Sequence, residues 1–190
     1  MGKTTITDET ELQYRMLYSL VVAGKSAKFA RAVMKKLMEG TYSLPFDVVR
    51  QKCATGKLRA WLEAAGTGNY SKMEKAFREI VLLWDQGLDL RTCTPEELET
   101  VHGLGRKTSR FFIVWTRENA NVAALDVHVL RWLREKGYNA PRNTPASAKK
   151  YAALEQAFLK EAAALGKTPQ ELDQEIWSAG AGEDWEAQAD

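Results

Sequence analysis

The sequence predicts an all-α protein. Helix-capping residues recur along the whole chain, apolar residues fall at helical spacing between them, and strand punctuation is nearly absent. Asp8 precedes Glu11 at capping-box spacing, and an amphipathic helix over residues 9–23 stops at Gly24. A second helix spans residues 26–39, with Ala27, Ala30, Val33, Met34 and Leu37 on one face and Gly40 as its stop. Shorter helices follow near residues 44–54 and 57–65, closed by Gly56 and Gly66. Ser71 with Glu74 starts another that runs toward Trp84. Thr94-Pro95, Thr144-Pro145 and Thr168-Pro169 each read as a helix start, because Thr caps free N–H groups and Pro fits the first helical position. Glu97 and Glu171 complete two of these as capping boxes. Further helices lie near residues 106–117 and 127–136, the second closed by Gly137. The short apolar run Val122-Ala123-Ala124-Leu125 is open between helix and strand, and residues 182–190 read as a frayed acidic tail.

The 190 residues, 45% of them apolar, suffice for one domain or two intimate lobes around a sizeable core, which excludes general disorder. Cys53 and Cys93 are too few for a disulfide scaffold, a Cys-ligated iron–sulfur centre or a structural zinc site. No metal and no cofactor is expected. Apolar runs such as Phe111-Phe112-Ile113-Val114-Trp115 fall far short of a membrane span, and the N-terminus leads into polar residues. The expectation is a soluble intracellular protein, cytoplasmic or nucleoid-associated.

The net charge of +2 conceals an asymmetry. Residues 171–190 carry seven acids and no Lys or Arg, which leaves 27 basic against 18 acidic residues over positions 1–170. An excess of that size suits a polyanionic partner.

Chemistry concentrates in Val101-His102-Gly103-Leu104-Gly105-Arg106-Lys107-Thr108-Ser109, where one helix ends in a two-glycine turn and the next begins at once. Glycines let a backbone approach a ligand closely, and N–H groups at the start of a helix favour a phosphate. Arg106, Lys107 and Arg110 add cationic side chains. On Gly-x-Gly alone a plain helix–turn–helix corner is the better reading of the pattern. A nucleotide P-loop fits poorly, since Arg106 precedes the Lys and no strand leads in.

The hairpin, the apolar helix after it, and Ala124-Leu125-Asp126-Val127-His128-Val129-Leu130 together resemble the signature of the endonuclease III-like, helix-hairpin-helix (HhH-GPD) DNA glycosylase superfamily. That family places a Lys two residues after the second Gly in its bifunctional members and an Asp about twenty residues further on. Lys107 and Asp126 stand 19 positions apart. The resemblance is clearest over residues 94–137. His102 stands where the family's hairpin has Pro, and the family's cysteine cluster is missing. Length and the ending Glu171-Leu172-Asp173-Gln174-Glu175-Ile176-Trp177 are similar to the compact 8-oxoguanine glycosylase/lyases without an iron–sulfur cluster.

The resemblance implies a single glycosylase domain over residues 1–190 with two helical lobes, one of residues 24–118 carrying the hairpin, the other of 1–23 plus 119–190. It implies a monomer acting on double-stranded DNA that contains a damaged or modified base, with the target nucleotide rotated out of the stack. Lys107 would attack C1′ of the sugar as an amine and leave a Schiff base, and Asp126 would stabilise the charge that develops there. The block His102, Gly103, Leu104, Gly105, Arg106, Thr108 and Arg110 would grip the DNA backbone, joined by Lys25 after the first helix. Trp177 is the first candidate for stacking on the extruded base, ahead of Trp84 and Trp61. Each residue also has a plainer reading: Lys107 as a phosphate contact, Lys25 as a solvated helix start, Asp126 as the N-cap of its helix, His128 as a packed or capping histidine, the tryptophans as core, and both cysteines as inert. Two other functions stay open: a base-modifying relative on the same fold, and a non-catalytic DNA-binding module.

Overall fold

Punctuation in the sequence translates directly into helices. In the computed structural model, which describes residues 5–181, the described chain forms α1 (Glu9–Val22), α2 (Ala27–Met38), α3 (Pro45–Ala54), α4 (Leu58–Ala65), α5 (Tyr70–Asp85), α6 (Pro95–Glu99), α7 (Arg106–Thr116), α8 (Val127–Glu135), α9 (Ala148–Ala164) and α10 (Pro169–Ala181), with no strand. The tail at 182–190 lies outside the described residues. The chain divides into two compact units, one from Ile6 to Phe112 and the other from Ile113 onward with Thr5.

In the first unit, Asp8 accepts the Glu11 N–H at 2.8 Å to start α1, and Ser26 accepts that of Phe29 at 3.2 Å to start α2. Leu12, Met16, Leu17, Met34, Leu37, Phe46, Leu58, Leu62, Phe77 and Ile80 are buried at the centre of this unit. Each large apolar side chain so placed contributes about 1.5–3 kcal/mol. α1 packs on α2, α3 and α5, so residues 6–23 lie in this unit, whereas the resemblance implied a lobe of 1–23 plus 119–190. One link is Gln13. Leu44 offers α3 no side-chain cap, and Gln13 Oε1 reaches across from α1 to accept the Phe46 N–H at 2.9 Å.

In the second unit, α10 packs on α8 and α9 around Leu125, Val129, Leu130, Leu133, Tyr151, Phe158, Leu172 and Ile176. Thr168 and Glu171 form the expected reciprocal cap, at 2.7 and 3.2 Å. Thr144-Pro145 does not start a helix. α9 begins at Ala148 behind Ser147, whose hydroxyl accepts the Lys150 N–H at 3.4 Å. The Thr144 hydroxyl donates instead to the Leu125 carbonyl at 2.8 Å. The run 122–125 is neither helix nor strand.

Candidate functional site

The α6–α7 hairpin is assembled from short-range bonds. Thr94 Oγ1 accepts the Glu97 N–H at 3.2 Å, and the Glu97 carboxylate accepts the Thr94 N–H at 2.7 Å. The turn closes through Val101 N–H to the Leu98 carbonyl at 3.0 Å and Leu104 N–H to the Val101 carbonyl at 3.1 Å. Val101 and Leu104 are buried and anchor the turn, while His102 and Gly105 are exposed. Gly103 adopts φ +92°, which L side chains rarely adopt, and a Cβ there would stand 3.1 Å from Lys72 Cε. The Gly105 carbonyl accepts the Thr108 and Ser109 N–H groups at 2.9 and 3.0 Å and opens α7. The N–H groups of Gly103 and Gly105 have no acceptor among the described residues.

Lys107 lies in the first turn of α7, half-exposed, its ammonium 4.9 Å from the centre of the Phe111 ring. No carboxylate among the described residues pairs with it. Arg106 is half-buried, and its carbonyl accepts the Ser109 hydroxyl at 3.1 Å. Thr108 is buried. Arg110 differs from the expectation of a phosphate contact. Its side chain is only 10% exposed and bonds Glu99 at 2.6 Å and Glu96 at 3.4 Å, so it staples α7 to α6.

Lys25, exposed between α1 and α2, lies 5.4 Å from the Phe29 ring and within 3.8 Å of where a Cβ on Gly68 would stand. Beside it, Ala23, Asn69, Lys72, Met73 and Gly103 line a shallow cavity at the foot of the hairpin. Lys72 is exposed and has no acidic partner among the described residues. Sequence reasoning missed it, because nothing local marks one lysine of α5 as the one laid against Gly103. Asn69, at φ +44°, shapes the same corner.

In the second unit, Asp126 is 8% exposed and caps α8, its Oδ1 accepting the N–H groups of His128 and Val129, both at 2.9 Å. Oδ2 has no hydrogen-bond partner among the described residues. The segment leading to it is held by side chains in place of a sheet: Ala123 N–H donates to Glu155 at 2.9 Å, the Tyr151 hydroxyl donates to the Ala123 carbonyl at 2.8 Å, and Leu125 N–H donates to that same hydroxyl at 3.1 Å. With Thr144 on the Leu125 carbonyl, every one of these contacts fixes the approach to Asp126. His128 packs on Trp177 with ring centres 4.6 Å apart and planes tilted by 46°, both rings half-buried.

Trp84 and Trp61 are packing residues of the first unit. Trp84 meets Phe46 edge-on at 6.0 Å under the Arg50 guanidinium, and Trp61 meets Phe77 at 6.3 Å. Burial pushes the Cys53 thiol up from its ordinary value, and Cys93 is buried beside the Leu90 carbonyl.

The first unit thus gathers Lys107, the two glycine donors, Lys72 and Lys25, and the second gathers Asp126, His128 and Trp177. No family model matches the chain. Its structure is similar to that of the 8-oxoguanine DNA glycosylase of Thermotoga maritima, with a TM-score of 0.68 and 24% sequence identity over 89% of this chain and 79% of that one. The likeness shows that the chain shares the all-helical fold of that protein.

Proposed function

We propose that the chain is a bifunctional DNA glycosylase/AP lyase that extrudes a damaged or modified base, with 8-oxoguanine the first candidate, and removes it through a Lys107 Schiff base. One observation carries the proposal. Lys107 stands in the first turn of the hairpin's second helix, half-exposed and without a carboxylate partner among the described residues, in a chain with a DNA glycosylase fold.

Glycine N–H groups of the hairpin, with Lys72, bind a backbone phosphate of the duplex. The target nucleotide leaves the stack, since its glycosidic bond is unreachable inside. The Lys107 amine attacks C1′, the glycosidic bond breaks, and the base departs with its electron pair and takes up a proton. The nitrogen loses its proton, the C1′–O4′ bond breaks with its electron pair going to O4′, which takes up a proton, and an iminium (Schiff base) joins Lys107 to the opened sugar. A base then removes a C2′ proton, the C3′–O bond breaks to nick the strand, and water hydrolyses the imine to release the lysine. Asp126 Oδ2 offsets positive charge on the sugar while Oδ1 remains committed to α8. Trp177, backed by His128, stacks on the extruded base.

Borohydride trapping tests this reading. The full chain is mixed with duplexes holding 8-oxoguanine, an oxidised pyrimidine, uracil, an abasic site or no lesion. A covalent adduct is expected on the abasic site and on at least one lesion, and it is lost in Lys107→Gln. An adduct that survives in Lys107→Gln, or its absence from every duplex, overturns the lyase assignment.

A further inference from the structure

An acidic side chain stands where an anion-binding turn would least accommodate one. Glu79, on α5, accepts the His102 N–H at 2.6 Å across 23 positions of sequence. The same face of α5 carries Lys72 and Ala76 against Gly103, with Lys72 Cε 3.1 Å and Ala76 Cβ 4.0 Å from the place a Cβ would take. One stripe of α5 therefore floors the hairpin, from Lys72 at one end to Glu79 at the other. Lys75 Nζ lies 3.8 Å from the Glu79 carboxylate and offsets part of its charge.

A carboxylate this close opposes a phosphate by simple Coulomb repulsion, so at a phosphate site its presence is a cost that some other interaction has to offset. The geometry supplies one. Residue 102 is not proline, so the turn has one backbone donor more than a prolyl turn would have, and that donor is directed at α5. A carboxylate on a backbone N–H makes a bond roughly twice as strong as a neutral one. Tying this donor down fixes the turn on α5 and leaves the Gly103 and Gly105 N–H groups without acceptors among the described residues.

We propose that Glu79 is a positioning residue for the hairpin: through the His102 N–H it locks the turn on α5, so that the two glycine donors present one fixed geometry to an incoming phosphate. The inference rests on the hairpin's proposed role as a phosphate site. Glu79 itself touches no substrate.

The test uses the full chain with two readouts: exchange of the His102 amide by NMR, and the Kd for a short undamaged duplex at several salt concentrations. Glu79→Gln keeps an acceptor and loses the charge, whereas Glu79→Met loses both at similar length. The His102 amide is protected in the unsubstituted chain and in Glu79→Gln, and exchanges at least about tenfold faster in Glu79→Met. Duplex binding weakens about fivefold in Glu79→Met although a negative charge has gone, and it holds or tightens in Glu79→Gln. In a His102→Pro background, where residue 102 has no N–H, Glu79→Met no longer weakens binding. Unchanged exchange in Glu79→Met, or binding that tightens in both variants alike, overturns the proposal and makes Glu79 a competitor of phosphate. Faster exchange in Glu79→Met in a chain that binds no duplex keeps the positioning role and overturns the nucleic-acid reading instead.

Discussion

Asp126 has two oxygens in different situations. Oδ1 caps α8 through two N–H groups at 2.9 Å, and Oδ2 has no partner among the described residues. Capping and the proposed catalytic role are therefore separable by substitution. Asn is as good an N-cap as Asp, so Asp126→Asn should keep stability within about 0.5 kcal/mol while base excision falls by about 10²–10⁴-fold. Asp126→Ala should lose the activity and about 1 kcal/mol of stability as well. Single-turnover excision and urea unfolding of both variants check this. Equal stability losses in the two would show that Asn cannot take over the cap.

At the scale of elements, the hairpin depends on a helix that could not stand alone. α6 has five residues, far below the length at which an isolated helix persists, so it is held by its capping box and by Arg110 reaching back from α7. Arg110→Leu removes a charge-assisted bond at a site where Arg110 is 10% and Glu99 25% exposed, and should cost about 2 kcal/mol in urea unfolding. Duplex binding should weaken as the hairpin loosens. The slope of log Kd against log salt should nevertheless stay unchanged, whereas an arginine on a phosphate would lower that slope by about one. A reduced slope would return Arg110 to the DNA-contacting set. The segment 122–125 teaches the complementary lesson: it needs no sheet because Tyr151, Glu155 and Thr144 satisfy its backbone, and that keeps Asp126 at a fixed place on α8.

At the scale of the whole molecule, the first unit is closed by contacts far apart in sequence. Arg91 donates to the Thr7 carbonyl at 3.2 Å and pairs with Glu9 at 2.6 Å, which ties the start of α1 to the loop after α5. Asp89 orders that loop. The Arg91 N–H, and then the Arg91 charge and the Thr92 hydroxyl, hold its carboxyl below the usual value of 3.8 despite an opposing effect of desolvation. A carboxyl lowered in the folded state contributes stability that is complete above the unfolded value and is lost as pH falls through the folded one. The urea midpoint should therefore decline as pH falls below about 4, and Asp89→Asn should flatten that decline. An identical pH profile in Asp89→Asn would remove Asp89 from the acid response.

Capping and periodicity are interactions within three or four residues, so helix types, most helix ends, both Thr-Glu boxes at Thr94 and Thr168 and the order hairpin–Lys107–Asp126 could all be read from the chain itself. The same locality explains the failures. Thr144-Pro145 carries the pattern of a helix start, yet its hydroxyl is claimed by a carbonyl 19 residues away. Arg110 looks like one more cation of a basic run, yet it faces Glu99, 11 residues back. α1 packs into the first unit through its buried apolar face, where Gln13 also completes the start of α3, 33 residues on, and Glu79 and Lys72 meet the hairpin only because α5 runs beneath it. The sequence by itself determined which helices form and which residue types the site contains. Only the tertiary structure decided which donors are tied down and which remain open, because that depends on partners that packing, and not chain proximity, brings into reach.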